Sequence, residues 1–110
     1  MGAGALDRRI QVRRAAPTDT GFGQGEAWAD HGAPIWAGRD DVRDSEKFAA
    51  GQVAASIMSR FTVRESSFTQ GISPKDRLIC DGREWEIVGG PKEHPRQRGF
   101  LELTAITRTD

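Results

Sequence analysis

Apolar and polar side chains alternate along most of this chain, and the alternation is broken by stretches rich in glycine, proline and small polar residues. A period of two is the mark of a half-buried strand. From Leu6 to Arg14, Leu6, Ile10 and Val12 share one face while Arg9, Gln11 and Arg13 share the other. The next run, Ala16-Pro-Thr-Asp-Thr-Gly-Phe-Gly-Gln-Gly25, is dense in turn formers and too polar for a core. It predicts the tip of a long hairpin whose return strand lies near Glu26–Asp30. Phe22 is the one large apolar side chain in that tip, and two uses stay open: folding back onto the body or being offered to a partner. A further strand is expected over Pro34–Val42, with Trp36 as its core anchor. Asp44 or Ser45 then caps a short helix running to about Ala55, since either side chain can accept from the free amides of a first turn. Phe48, Val53 and the alanines give that helix a small-residue face suited to a sheet.

The pattern is sharpest in the C-terminal half. Ile57, Phe61 and Val63 alternate with Met58, Arg60, Thr62 and Arg64, so Ile57–Glu65 reads as a strand with a charged outer face. Ser66 to Pro74 reads as a polar loop. Asp81-Gly82 then separates two alternating runs, which is the preferred chemistry of a two-residue type I′ hairpin. The hairpin register sets Leu78 opposite Trp85 on one face and Arg77 opposite Glu86 on the other, each pair worth about 0.2–1 kcal/mol. Gly89 to Gly99 reads as a second long, basic loop. The closing strand, Phe100 to Thr107, carries apolar residues on both faces and is expected to be covered from two directions, by the helix or by a neighbouring subunit. Short strands at turn-punctuated spacing with one inserted helix predict a mainly β fold: a small β-barrel or sandwich with one short α-helix and long loops.

A chain of 110 residues has room for one domain and one modest core, so a single domain over residues 1–110 is expected. Sixteen basic residues balance sixteen acidic ones, which counts against a dedicated nucleic-acid or anionic-membrane binder. The one cysteine, Cys80, permits no internal disulfide and no multi-cysteine zinc site, and its place in an apolar strand makes it a small core residue. No apolar stretch is long enough for a signal peptide or a membrane span, so a soluble protein made in the cytoplasm is expected.

Catalytic chemistry is hard to assemble from these residues. His31 and His94 stand far apart in polar loops and read as solvated side chains, without the spacing of a metal pair. Asp40 and Asp41 are adjacent on a strand and point to opposite faces, which suits a turn or cap better than a carboxylate dyad. Gly21-Phe-Gly-Gln-Gly25 lacks the lysine and helix of a phosphate cradle. No nucleophile, base and stabilising group converge, and the expectation is a protein that is not an enzyme, with no cofactor and no metal. The main alternative from another class is a small-barrel module for single-stranded nucleic acid, which would stack bases on aromatics beside basic residues such as Arg60, Arg64, Arg96 and Arg98. Against it, Phe61, Trp85 and Trp36 fall at positions read as core-facing.

The order of segments also carries a resemblance. The arginine-rich Leu6–Arg14 strand, the glycine-containing tip leading to Trp28, Ile35-Trp36-Ala37, Ser45-Glu46 with Ala50-Gly51-Gln52, Arg60-Phe61 with Arg64, the Arg77 to Ile87 hairpin and Leu101-Glu102-Leu103 follow one another over nearly the whole chain. Together they resemble the head–tail joining (head closure, or stopper) proteins of long-tailed bacteriophages and their gene-transfer-agent relatives. Tyrosine is expected more often where Phe61 and Trp85 stand, and this chain has no tyrosine. The resemblance implies a barrel with a side helix, assembled as a homo-oligomeric ring of six or twelve copies at the virion neck. Such a ring sits below the portal and its adaptor, retains the packaged DNA, lets it pass without sequence-specific binding, and presents a platform to the tail terminator. The loops Thr18–Gly25, Ser66–Pro74 and Pro91–Arg98 would then reach neighbours or narrow the channel. Their candidate contact residues are Phe22, Gln24, Phe68, Gln70, His94, Arg96 and Arg98. A portal-bound adaptor or a tail terminator of the same neck are the alternatives within the class.

Overall fold

The computed structural model describes residues 6–19, 24–43 and 56–108. The helix expected between Asp44 and Ala55 lies outside the described residues. In chain order the elements are β1 (Arg8–Asp19), β2 (Gln24–Asp30), β3 (Ile35–Asp41), β4 (Ser56–Arg64), α1 (Ser67–Gln70), β5 (Arg77–Cys80), β6 (Arg83–Glu93) and β7 (Phe100–Arg108). All pairings among them are antiparallel. The neighbours run β1-β3-β4-β7-β6-β5, and β5 pairs back onto β1, so six strands close into a barrel. Of the two β architectures open to the sequence, the barrel is the one formed, and closure leaves these six strands no free edge. β2 stands outside the ring of six. It pairs only with the far half of β1, Arg13–Asp19, so the β1–β2 hairpin is a two-stranded arm leaving the barrel wall.

The alternation read from the sequence sorts inside from outside. Ile10, Val12, Phe61, Val63, Leu78, Cys80, Trp85, Ile87, Leu101, Leu103 and Ala105 fill the interior. Trp85 is fully buried, meets Phe61 edge-on at a centroid distance of 5.2 Å, and donates its indole N–H to the Cys80 carbonyl at 3.2 Å. Leu78 faces Trp85 across the expected hairpin, and the turn residues Asp81 and Gly82 have φ of 52° and 74°, as a type I′ turn requires. Arg77 lies opposite Glu86 as expected, yet its ion pair goes diagonally to Glu84 at 3.0 Å.

Trp36 corrects the sequence reading: it is 50% exposed and is no core anchor. In β3 the inward positions belong to Ile35 and Ala37, with Ala37 opposite the buried Val63, and strand parity turns Trp36 outward. An interior already holding Trp85 and Phe61 accepts an alanine there. The Ser66–Pro74 segment is likewise more ordered than a polar loop. Ser66 caps α1 by accepting from the Thr69 N–H at 3.1 Å while Thr69 Oγ1 accepts from the Ser66 N–H at 2.8 Å.

Each mouth of the barrel is closed by ions or by apolar cover. At one mouth Asp81 accepts from Arg8 at 2.9 Å and Arg39 at 2.8 Å, while Asp41 accepts from Arg39 at 2.9 Å and from the Ser59 hydroxyl. The Arg39 guanidinium also lies 4.8 Å from the centroid of the Trp85 ring, roofing the core. At the other mouth α1 brings Phe68 onto the core, beside the buried Ile72. There the Asp76 carboxylate, 2% exposed, binds Arg14 through both oxygens at 2.9 and 2.8 Å and accepts from the Ser73 N–H at 3.1 Å.

A pH dependence follows from these carboxylates. Burial alone would raise Asp41, Asp76 and Asp81, but their bonds to Ser59, to the Ser73 amide and to Arg39, Arg14 and Arg8 outweigh it and hold all three below the ordinary 3.8. A carboxylate whose folded pKa is depressed contributes stability above its unfolded pKa and loses it as pH falls through the folded value. The denaturant midpoint should therefore be flat through neutral pH and fall below about pH 4. Asp76→Asn should lower the neutral plateau and shallow the acid limb, as read by urea titrations from pH 2.5 to 7. An unchanged acid limb would remove Asp76 from this account.

Candidate functional site

Among the described residues, three surfaces stand out as able to meet another molecule. The first is the arm. Its root is tied down from both sides: Arg14 reaches Asp76 and the Gly71 carbonyl, and Arg77 lies 4.2 Å from the centroid of the Trp28 ring. Arg13 pairs with Asp30 and donates to the Trp28 carbonyl at 3.1 Å. A hairpin projecting from a barrel would pivot about its root unless held this way, so these contacts fix the direction in which the arm extends.

The second surface is the connection from β6 to β7. β6 runs to Glu93, so half of the expected Gly89–Gly99 loop is strand, with register shifts between Ile87 and Lys92. Gly90, with φ of 88°, lies so close to β7 that a Cβ would stand 2.5 Å from the Glu102 carbonyl oxygen. The connection then extends the β6–β7 and β4–β7 ladders past the ends of the strands. His94 donates its amide to the Phe100 carbonyl at 3.0 Å, its Nδ1 accepts from the Arg96 N–H at 3.1 Å, and the Glu65 N–H binds the Gly99 carbonyl at 2.9 Å. His94 is thereby buried, not a solvated loop side chain as the sequence suggested. Glu102 on β7 is 5% exposed and lies 3.6 Å from Lys92 Nζ. The 94–99 segment joins β6 to β7 at this end of the barrel. Two open hollows of about 490 and 260 Å³ flank it, the first reaching Arg96 and Arg98 and the second reaching Asp40, Thr62 and Lys92.

The third surface went unread in the sequence. On the outside of the barrel Arg9 faces Trp36, and Arg64 faces Phe100, on four successive strands. The Arg9 guanidinium lies 4.3 Å from the Trp36 ring centroid, with one N–H donated to the Pro34 carbonyl at 3.1 Å, and Arg64 lies 5.5 Å from the Phe100 ring. Leu6, Pro34 and Ile35 line a hollow of about 300 Å³ beside Trp36. Strand parity couples the two neighbours in β3: with Ala37 inward, Trp36 points outward.

The candidate contact residues within the described part of the chain fall on the arm, on α1 and on the β6–β7 connection. Phe22 lies outside the described residues, and Gln24 opens β2 at the far end of the arm. Phe68 and Gln70 both belong to α1. Phe68 is half-buried and stacks on His31 at 5.3 Å, so its ring is engaged within the molecule, while Gln70 is exposed. His94, Arg96 and Arg98 are gathered along one hollow, with Arg96 and Arg98 exposed.

Among the described residues, no group of three or more His, Cys, Asp or Glu side chains is placed to hold a metal ion. Burial, then the neighbouring Asp81 carboxylate, pushes the Cys80 thiol up to about 11, which keeps it protonated and a poor nucleophile at neutral pH.

Comparison with known proteins agrees with this architecture. The solution structure of protein SF1141 from Shigella flexneri 2a is similar, at 25% identity and a TM-score of 0.69 over 98% of this chain and 96% of that one. A chain from the virion of a native gene transfer agent particle shares the fold, at 19% identity and a TM-score of 0.61 over 93% of this chain and 94% of that one. A search of the curated proteins returns no match. The model of the phage head completion proteins matches residues 1–108. With a closed barrel, a projecting arm and a match spanning nearly its whole length, the chain belongs to the phage head completion protein family, a family of structural phage proteins.

Proposed function

We propose that this protein is a head closure, or stopper, protein of a phage-type particle. In this reading it forms a ring below the portal and adaptor, retains the packaged DNA, and presents the surface on which the tail docks. The observation that supports it best is the strand-dominated closed barrel within a chain that matches the head completion family. An adaptor bound directly to a portal is expected to be mainly helical, and a tail terminator to be a larger α+β domain. A rigid barrel with anchored projections suits a ring subunit, because the body sets the spacing while arm and loops reach different neighbours. The virion setting of one structural neighbour fits the same reading. The balanced charge of the chain fits it as well, since a channel that transmits DNA should not grip it.

Deleting the gene in the producing strain and imaging the particles tests this directly. The expected result is heads beside free, normal tails, joined when purified protein is added back. Normally tailed particles from the deletion strain would reject the role. Shortening the arm to a two-residue turn between Ala16 and Ala27 should abolish joining while leaving the barrel's melting temperature within a few degrees, because the arm lies outside the six closed strands.

A further inference from the structure

Among the described residues the exposed large apolar side chains are Trp36, 50% exposed, and Val88, 46% exposed. They stand on β3 and β6. In the closed order β1-β3-β4-β7-β6-β5, those strands are three steps apart in either direction, so the two side chains occupy opposite sides of the barrel. Their surroundings carry opposite charge. Trp36 lies between Arg9 and the strand bearing Arg64, whereas Val88 continues an outward row with the exposed Glu84 and Glu86.

We propose that these are the two halves of one interface between copies: the β3 face of each subunit docks on the β6 face of the next. Trp36 then seats against Val88, and Arg9 and Arg64 face Glu84 and Glu86. The proposal rests on the ring reading and names the surfaces that would build the ring. Head-to-tail contacts that close by rotation need two different, complementary patches on well-separated sides of one body. A two-fold contact through either patch would instead set arginine against arginine or glutamate against glutamate. Tryptophan and arginine around an apolar centre are also the side chains that dominate subunit contacts. The β3 patch is preorganised, because Arg9 is held at once by the Pro34 carbonyl and by the Trp36 ring. Glu84 is shared with Arg77 within its own chain, which leaves Glu86 as the freer carboxylate. Single-stranded nucleic acid is the competing occupant of an aromatic flanked by arginines. It is disfavoured because Arg9 already covers one face of the Trp36 ring, because the chain has no basic excess, and because an acidic counterpart exists on the opposite strand.

Cysteine crosslinking in assembled particles tests the pairing. Chains carrying Trp36→Cys and Val88→Cys together should yield a ladder of multimers with a short bis-maleimide, and chains carrying either change alone should not. The buried Cys80 thiol provides an unreactive background. A charge-reversal mix supplies the second arm. Arg9→Glu with Arg64→Glu, or Glu84→Arg with Glu86→Arg, should each lower the yield of joined particles by on the order of tenfold or more. An equal mixture of the two variants should restore it, because in an alternating ring every contact again joins opposite charges. Melting curves near wild type exclude misfolding for these exposed positions. Protein present at the neck with no 36–88 link and no rescue by mixing would overturn the proposed faces while leaving the ring reading intact. Protein absent from the neck would overturn the ring reading itself. Loss of oligo-dT binding in Trp36→Ala, with no 36–88 link, would overturn the proposal in favour of nucleic acid.

Discussion

Trp85→Ala is expected to unfold the protein or leave it barely folded at 37 °C. Trp85 is the largest fully buried side chain; Phe61 abuts it edge-on, and Arg39 roofs its ring at the ionic mouth. Truncation loses the transfer free energy of the indole and leaves a cavity that a closed barrel cannot collapse to fill, at a cost of about 3–5 kcal/mol. Against a total stability of about 5–15 kcal/mol, that is a third or more of what holds the fold. Thermal melting followed by circular dichroism should show a drop of about 15 °C or more. Trp85→Phe keeps most of the volume and loses the bond to the Cys80 carbonyl, so its loss should be smaller, about 1–2 kcal/mol. A Trp85→Ala protein within about 1 kcal/mol of wild type would show that the interior is not built around this side chain.

Gly90→Ala should be the most damaging of the small changes. The position combines φ of 88° with a backbone approach in which the new Cβ would stand 2.5 Å from the Glu102 carbonyl oxygen. The oxygen belongs to the paired strand β7 and cannot swing aside like a side chain. The two penalties together should amount to about 2–4 kcal/mol. Gly82→Ala is the internal control, with φ of 74° and nothing within 4 Å of the added Cβ, and should cost only about 1–2 kcal/mol. The difference between the two denaturant midpoints isolates the close approach. The functional consequence should also differ. Gly90 lies in the irregular stretch of β6 that leads into the 94–99 connection, so Gly90→Ala should shift Arg96 and Arg98 and impair joining. Equal losses for the two variants would mean that the approach at Gly90 relaxes freely.

The first half of β1 and strands β4, β5 and β6 were legible in this sequence because each carries a period of two, and the type I′ turn at Asp81-Gly82 fixed the register of β5 on β6. The arm was legible as a run too polar and too rich in turn formers to be core. Two kinds of feature were not legible. One was the inward or outward choice in β3, where Ile35, Trp36 and Ala37 are all apolar, so the alternation carries no sign and size points the wrong way. The other was the fate of the connection after β6. Its composition reads as loop, yet backbone bonds from His94 and Glu65 to β7 and its approach lay it along the sheet and bury His94. The turn after β4 is a related case: α1 draws Phe68 inward because a capping box starts a helical turn there, and a barrel mouth needs an apolar cover.

By itself, then, the sequence determined local periodicity, the hairpin register and the family to which the chain belongs, all of which are written in short-range order along the chain. Closure of β5 onto β1, the two sealed mouths and the opposition of Trp36 to Val88 were decided only in the tertiary structure. They depend on which strands become neighbours, and the pairing of residues such as Val12 with Leu78 is set by the packing of one shared interior rather than by any local pattern.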